Sequence, residues 1–323
     1  MIHVSIGDKI TGLLAQWESG TNQSAVSGEV LEELLHHLDQ AATVAVKTLP
    51  PDAEPLILTK RRVQQLLGCE RHMVAMLRYD RGEVTVEEVH GVLLDALCRH
   101  RVTTGRLDDP ALDTGLDVLR ASAEGERIIE WVEKLDGAAR GALSQDITDS
   151  RDALLSDWPK LRRDWWPRVQ DRVRLKLAGG SVIVDGRADV VLAGPPTPRR
   201  SVIIETKAGN LRQDDLTDGM FYSLLIALRD VSPPACVVNA SSQSNGFQSI
   251  WIGEPELHSA AKRLTAAIGL AGELISGRTP RERPGARCRW CPDANECPSA
   301  HALEGTLNDD SDVDDEDLDD EPF

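Results

Sequence analysis

The sequence predicts a mixed α/β fold: a central sheet flanked by helices, with a helical region ahead of it. Three observations lead there. Apolar residues recur at helical spacing through most of the first 165 residues. Near Trp166 the pattern changes to alternation and to short apolar runs. An amphipathic stretch then separates these runs from further short ones, giving a compact β-β-β-α-β unit.

Taken in order, residues 1–45 read as helical, with Leu13, Leu14 and Trp17, then Val30, Leu31, Leu34, Leu35 and Leu38, on helical faces. Pro50, Pro51 and Pro55 mark a break. Residues 58–79 and 84–101 read as two further helices, 102–113 as a polar loop, and 115–165 as mostly helical. RVRLKL (172–177) alternates as a strand, and SVIVDGRADVVL (181–192) reads as one or two strands around Asp185 and Gly186. GPPTPRR turns the chain into SVIIETK (201–207), a third strand. Residues 213–229 form an amphipathic helix, 235–239 and 247–253 short strands, and 255–277 a helix. This divides the chain into a helical segment 1–55, a second helical region 56–165, a strand-rich core 166–280, a cysteine loop 281–303 and an acidic tail 304–323. The tail is expected to be disordered.

A chain of 323 residues is long enough to bury its own core. It has no apolar run long enough to cross a membrane and no leader-like N-terminus, so it is expected in the cytoplasm. Its net charge is −17, but residues 309–321 alone carry ten acidic side chains and no basic one. The balance therefore does not exclude a nucleic-acid partner. Basic residues cluster at 160–176 and at 281–289. The first cluster includes Arg168, Arg172 and Arg174 with Trp165 interleaved, a pattern able to hold phosphates and stack a base, or equally a solvated face beside core tryptophans.

The chemistry concentrates in VDGRADVVL and SVIIETK. Glu205 and Lys207 are two apart on one strand and share a face, and Asp189 lies on the strand before. Charged groups in so apolar a strand are costly unless they form a site or reach solvent. Two carboxylates converging across neighbouring strands make an oxygen site for Mg²⁺ or Mn²⁺, and a lysine beside them can orient water and neutralise charge. A surface Glu–Lys pair is the plainer alternative.

Six cysteines are present, and three of them, Cys288, Cys291 and Cys297, form C-x2-C-x5-C in a loop rich in Pro and Arg. Such spacing can converge on one metal or cluster, which leaves a fourth ligand to find. Cys69 is the candidate. Spacing alone favours zinc over an iron–sulfur cluster. Cys98 and Cys236 lie in apolar surroundings and read as buried thiols.

The ordered set of a strand pair, an Asp preceded by Gly-Arg-Ala, an apolar strand ending in Glu-Thr-Lys and then a helix resembles the PD-(D/E)XK nuclease superfamily. One upstream cysteine and C-x2-C-x5-C downstream resemble its iron–sulfur, RecB-like exonuclease branch, such as the AddB nuclease domain and the CRISPR-associated RecB-like exonucleases. The resemblance covers roughly residues 60–100 and 170–300. It implies a restriction-endonuclease-like core. It implies Asp189 and Glu205 as metal ligands, the Thr206 carbonyl as a further ligand and Lys207 as the catalytic lysine. It also implies a [4Fe-4S] cluster on Cys69, Cys288, Cys291 and Cys297 that clips the N-terminal helices to the C-terminal loop. The activity implied is cleavage of DNA at ends or in single strands, in repair, recombination or defence, with a helicase or second nuclease as a partner.

Two positions depart from that branch. Its usual motif histidine falls on Asp95 when HGVLLDALCRH is aligned on Gly91; Asp95 can still bind a hard cation, and His90 is the fallback. Its Q-x-x-x-Y helix motif is met by Tyr222, but Asp218 stands four residues earlier and Gln213 lies nine before. These departures leave room for an altered, non-catalytic DNA-binding or assembly module.

Overall fold

The computed structural model describes residues 5–21, 25–47, 49, 53–78, 84–122, 125–193, 200–243 and 246–301, less the side chains of Gln213 and Ala286. The acidic tail 304–323 lies outside the described residues. Ten α-helices and six strands occur among them. No described helix is long and apolar enough to cross a membrane.

The first two helices are α1 (Ile6–Ser19) and α2 (Gly28–Ala45). Ser5 and Ser27 cap them by accepting from backbone N–H groups in the first turn. Where one helix was expected from residue 58 to 79, the chain forms a strand, β1 (Leu56–Thr59), and two short helices, α3 (Lys60–Gly68) and α4 (Glu70–Arg78). Cys69, extended at φ −131° and ψ 111°, breaks the two helices apart. Helices α5 (Val86–Thr104), α6 (Ala111–Ala121), α7 (Glu126–Glu133) and α8 (Gly137–Leu155) follow.

The remaining strands are β2 (Arg168–Leu177), β3 (Val182–Leu192), β4 (Val202–Lys207), β5 (Cys236–Ser241) and β6 (Phe247–Trp251). Helix α9 (Gln213–Asp230) joins β4 to β5, and α10 (Glu254–Ile275) follows β6. The sheet is mixed, with order β1-β3-β4-β5-β6 and β2 also on β3. Strand β3 is one unbroken strand. Gly186 sits within it because Phe221, Tyr222 and Leu225 of α9 pack where a side chain would stand.

Strand β3 organises everything else. Antiparallel β2 lines one of its edges from Val182 to Val191. The other edge is shared: β1 pairs in parallel with Val182–Asp185, and β4 pairs antiparallel with Val190–Leu192. The two therefore run toward each other along β3, and their C-terminal ends meet near its middle.

Two hydrophobic cores cover the two sheet faces. One holds α1, α5, α6 and α8 against Val190, Leu192, Ile204 and Val238. The other holds α2, α3, α9 and α10 against Val184, Val191, Ile203 and Val237. The N-terminal helices and the strand-rich part thus share both cores.

Candidate active site

The gap between the ends of β1 and β4 is where the polar side chains gather. Asp189 and Glu205 face each other across the β3–β4 pair. The Asp189 N–H donates to Glu205 Oε1 at 3.1 Å, and Asp189 Oδ2 accepts from the Thr206 N–H at 2.8 Å and the Thr206 hydroxyl at 3.2 Å. Each carboxylate is thus held by the other strand's backbone. Glu205 is buried. Burial first, and the Asp189 charge second, raise its pKa above the ordinary value, while Lys60 and Lys207 pull the other way.

Two lysines close the gap, one from each converging end. Lys207, the last residue of β4, lies 3.3 Å from Asp215 and 3.8 Å from Asp218 Oδ2. Lys60, the first residue of α3, lies 3.8 Å from Glu205 and 3.5 Å from the same Asp218 oxygen. It also stands over the Tyr222 ring, 5.0 Å from its centre. Burial works against the Lys60 ammonium, but Glu205, Asp218 and Asp189 outweigh it and raise its pKa. Asp218 is buried, and its Oδ1 accepts from the Gln64 amide. Lys60 and Gln64, four apart on α3, are thereby keyed to Lys207 through one carboxylate of α9.

Tyr222 is buried on the same face, where burial and the nearby carboxylates raise its phenol well above the ordinary range. Gln213 opens α9, and its side chain lies outside the described residues. Asp95, on α5, accepts from the Gln170 amide at 2.8 Å and lies 3.2 Å from Arg99. Gln170 stands opposite Asp189 on β2 with φ at +52°, a left-handed conformation that a side chain takes only at a cost. Burial, and after it the Asp189 and Asp95 charges, raise the pKa of the buried Cys98 thiol. His90 is bonded to Ser150 instead, 3.0 Å away. Among the described residues no three His, Cys, Asp or Glu side chains are gathered tightly enough to hold a metal ion as they stand.

Asn239 of β5 is the in-register neighbour of Glu205 and shares its face. It is fully buried, and both polar atoms of its amide lack a hydrogen-bond partner. A buried amide left open beside a buried carboxylate is suited to a ligand or ordered water.

The four cysteines Cys69, Cys288, Cys291 and Cys297 line one cavity, together with Arg71, His72, Arg283 and Arg287. All are free thiols. The Arg283 N–H points at Cys69 Sγ and the Gly285 N–H at Cys288 Sγ, both at 3.5 Å. Burial raises the Cys291 thiol, and Asp293, Cys69 and Cys288 add to the rise. The loop is laced to α3 and α4. Glu70 accepts from the Arg281 N–H, Arg71 pairs with Glu282, and Arg283 and Arg287 donate to the carbonyls of Leu67 and Gln64.

In the basic cluster at 160–176, Trp165 takes the second of its two readings, that of a core tryptophan, while Arg168, Arg172 and Arg174 lie at the surface paired with carboxylates. Trp165 is buried; it packs edge-on against Trp17 and donates to Glu18, so no base can stack on it. Arg172 and Arg174 both pair with Asp185, whose pKa they hold down at about 2. Arg168 pairs with Asp171. Lys60, Gln64, Gln170 and Asn239 were not legible as site residues, because no local motif marks them; Asp218 was marked only as the residue standing where the Q-x-x-x-Y motif has its Gln.

No family model and no curated protein matches this chain. Two solved structures overlay on much of it. A proposed exonuclease from Eubacterium rectale is 12% identical, with 74% of this chain and 87% of that one covered at a TM-score of 0.49. The protein SSO0001 is 14% identical, with 75% and 96% covered at a TM-score of 0.28.

Proposed function

We propose that this chain is a divalent-metal-dependent deoxyribonuclease that hydrolyses phosphodiester bonds at DNA ends or in single strands. The observation that carries the reading is the carboxylate pair Asp189 and Glu205, braced across β3 and β4 with Lys207 beside it. A buried carboxylate with a half-buried one against it favours a cation between them, and the open Asn239 amide leaves room for one. Oxygen donors suit Mg²⁺ or Mn²⁺. Asp189 and Glu205 would hold the ion, with the Thr206 carbonyl and Asp95 as further ligands.

A bound ion of this kind supplies acidified water and stabilises charge on a phosphoryl group. The protein's own part is to hold and orient. Thr206 fixes the Asp189 carboxylate through two hydrogen bonds. Asp215 and Asp218 hold the Lys207 ammonium at the end of β4, where it can orient the attacking water and offset charge building on the phosphate. Lys60 offsets Glu205 from the opposite side.

The donor set of Cys69, Cys288, Cys291 and Cys297 suits a [4Fe-4S] cluster, with zinc as the alternative. Either would fasten the C-terminal loop to α3 and α4. The setting we assign is cytoplasmic DNA repair, recombination or defence, alongside a helicase or second nuclease.

The test is cleavage of end-labelled single- and double-stranded DNA in Mn²⁺ and Mg²⁺ by anaerobically purified protein, beside Lys207→Ala. Cleavage by the parent and a loss of at least about 100-fold in the variant are expected. Equal cleavage by both would sink the assignment of Lys207. A non-catalytic DNA-binding or assembly module is the second reading, favoured because Gln170 and Arg99 already engage Asp95. It predicts binding without hydrolysis, even in Mn²⁺.

A further inference from the structure

A cavity opens beside the carboxylate site, between α3, α9 and α10. Its polar lining is Lys60, Gln64, Thr217, Asp218 and Arg263. Asp218 is the single carboxylate in that lining, and its oxygens are engaged: Oδ1 by Gln64, Oδ2 by Lys60 and Lys207. The Lys60 side chain stays 23% exposed, and an ammonium has three donors where the protein offers Lys60 two carboxylates. Arg263, on the exposed side of α10, has no hydrogen bond or ion pair among the described residues. Two cations thus face the cavity with donor capacity to spare.

We propose that Lys60 and Arg263 form a phosphate-binding subsite for the substrate strand, one that takes a backbone phosphate next to the scissile one. The inference rests on the phosphodiester reading above. Lys60 links the two places directly: its ammonium is within 3.8 Å of Glu205 and lines the cavity. Arg263 supplies a planar fork that matches two phosphate oxygens. Backbone contacts of this kind fix the register of a strand without reading its sequence. Asp218 is the positioning residue that ties the subsite to the Lys207 end of β4.

Fluorescence anisotropy with a labelled single-stranded DNA of about 20 nucleotides tests this, with Ca²⁺ in place of Mg²⁺ or Mn²⁺ and KCl varied from about 50 to 200 mM. The proteins compared are the parent, Lys60→Gln, Lys60→Arg, Arg263→Gln and Lys134→Gln, the last a solvent-facing control at the end of α7. Lys60→Gln and Arg263→Gln are expected to weaken binding about threefold or more at low salt and to flatten the log–log salt slope by about 0.7 each. Lys60→Arg should restore the slope, and Lys134→Gln should keep it. Arg263→Gln touches neither Glu205 nor Asp218, so it reads the subsite even if Lys60→Gln fails to fold. Unchanged slopes in both glutamine variants, or a parent that does not bind the strand, would overturn the subsite. Cleavage in Mn²⁺ is scored separately. Variant-sensitive binding without cleavage keeps the subsite and sinks the nuclease reading, whereas cleavage with unchanged slopes does the reverse.

Discussion

Glu205 is buried beside a second carboxylate, an arrangement that favours its neutral form. Burial is the larger cause, Asp189 the next, and the two lysines offset them only in part. Its folded pKa therefore lies above the ordinary value of 4.5. The cost of ionising it in the fold appears as pH rises past that value and is complete above the folded pKa. Glu205→Gln is expected to match the parent in stability near about pH 4 and to exceed it near about pH 8, by about 1.4 kcal/mol or more, one pKa unit's worth. Urea unfolding at the two pH values checks this, and equal stability at the higher pH would refute it. The same variant is expected to lose cleavage. Asp189, Glu205 and Lys207 were legible because they fall within two short adjacent segments. Lys60 was not, and Asp218 stood out only as a departure from a motif: they reach Glu205 and Lys207 because β1 and β4 converge on β3, and no spacing in the chain encodes that meeting.

At the scale of elements, the sequence exposed every strand but the shortest. The alternation at 172–177 marks the second part of β2, and the apolar run ending in Glu-Thr-Lys fills β4. The last two of the four residues of β1 read instead as the start of a helix, because a strand this short has no room for a period. What makes it a strand is tertiary, namely the edge of β3 that β4 leaves open. Helix α9 depends on one small residue. A side chain at Gly219 would run into Val237 of β5, so glycine lets the helix lie close to the sheet. Asp218, next to it, holds both lysines from that close position. Gly219→Ala is thus expected to cost about 1–3 kcal/mol through overpacking and to lower cleavage further than that loss of stability explains. Unfolding midpoints with cleavage rates well below the transition separate the two effects. An alanine variant as stable and active as the parent would show that α9 has slack.

Across the whole molecule, the cysteine cavity lies where the start of α4 meets the loop that follows α10. Cys69 precedes the sheet's long strands and the other three cysteines follow them, so a group bound by all four closes a loop that contains most of the fold. Closing so long a loop removes much of the unfolded chain's freedom. The same loop grips α3 through Arg283 and Arg287, and α3 carries Lys60 and Gln64 into the active-site gap. Loss of the bound group should therefore act at two places. Cys291→Ser, purified without oxygen, is expected to lose the absorbance near about 400 nm that a [4Fe-4S] protein would show. It should also unfold at lower denaturant and exchange amide hydrogens faster in α3, α4 and residues 278–301, with exchange in α6 and α7 unchanged. Faster exchange confined to the loop, with α3 as protected as in the parent, would show that the clip does not reach the active site. A colourless parent that binds zinc would keep the mechanical argument and replace the cluster, since closure needs four thiolates on one centre and not a particular metal.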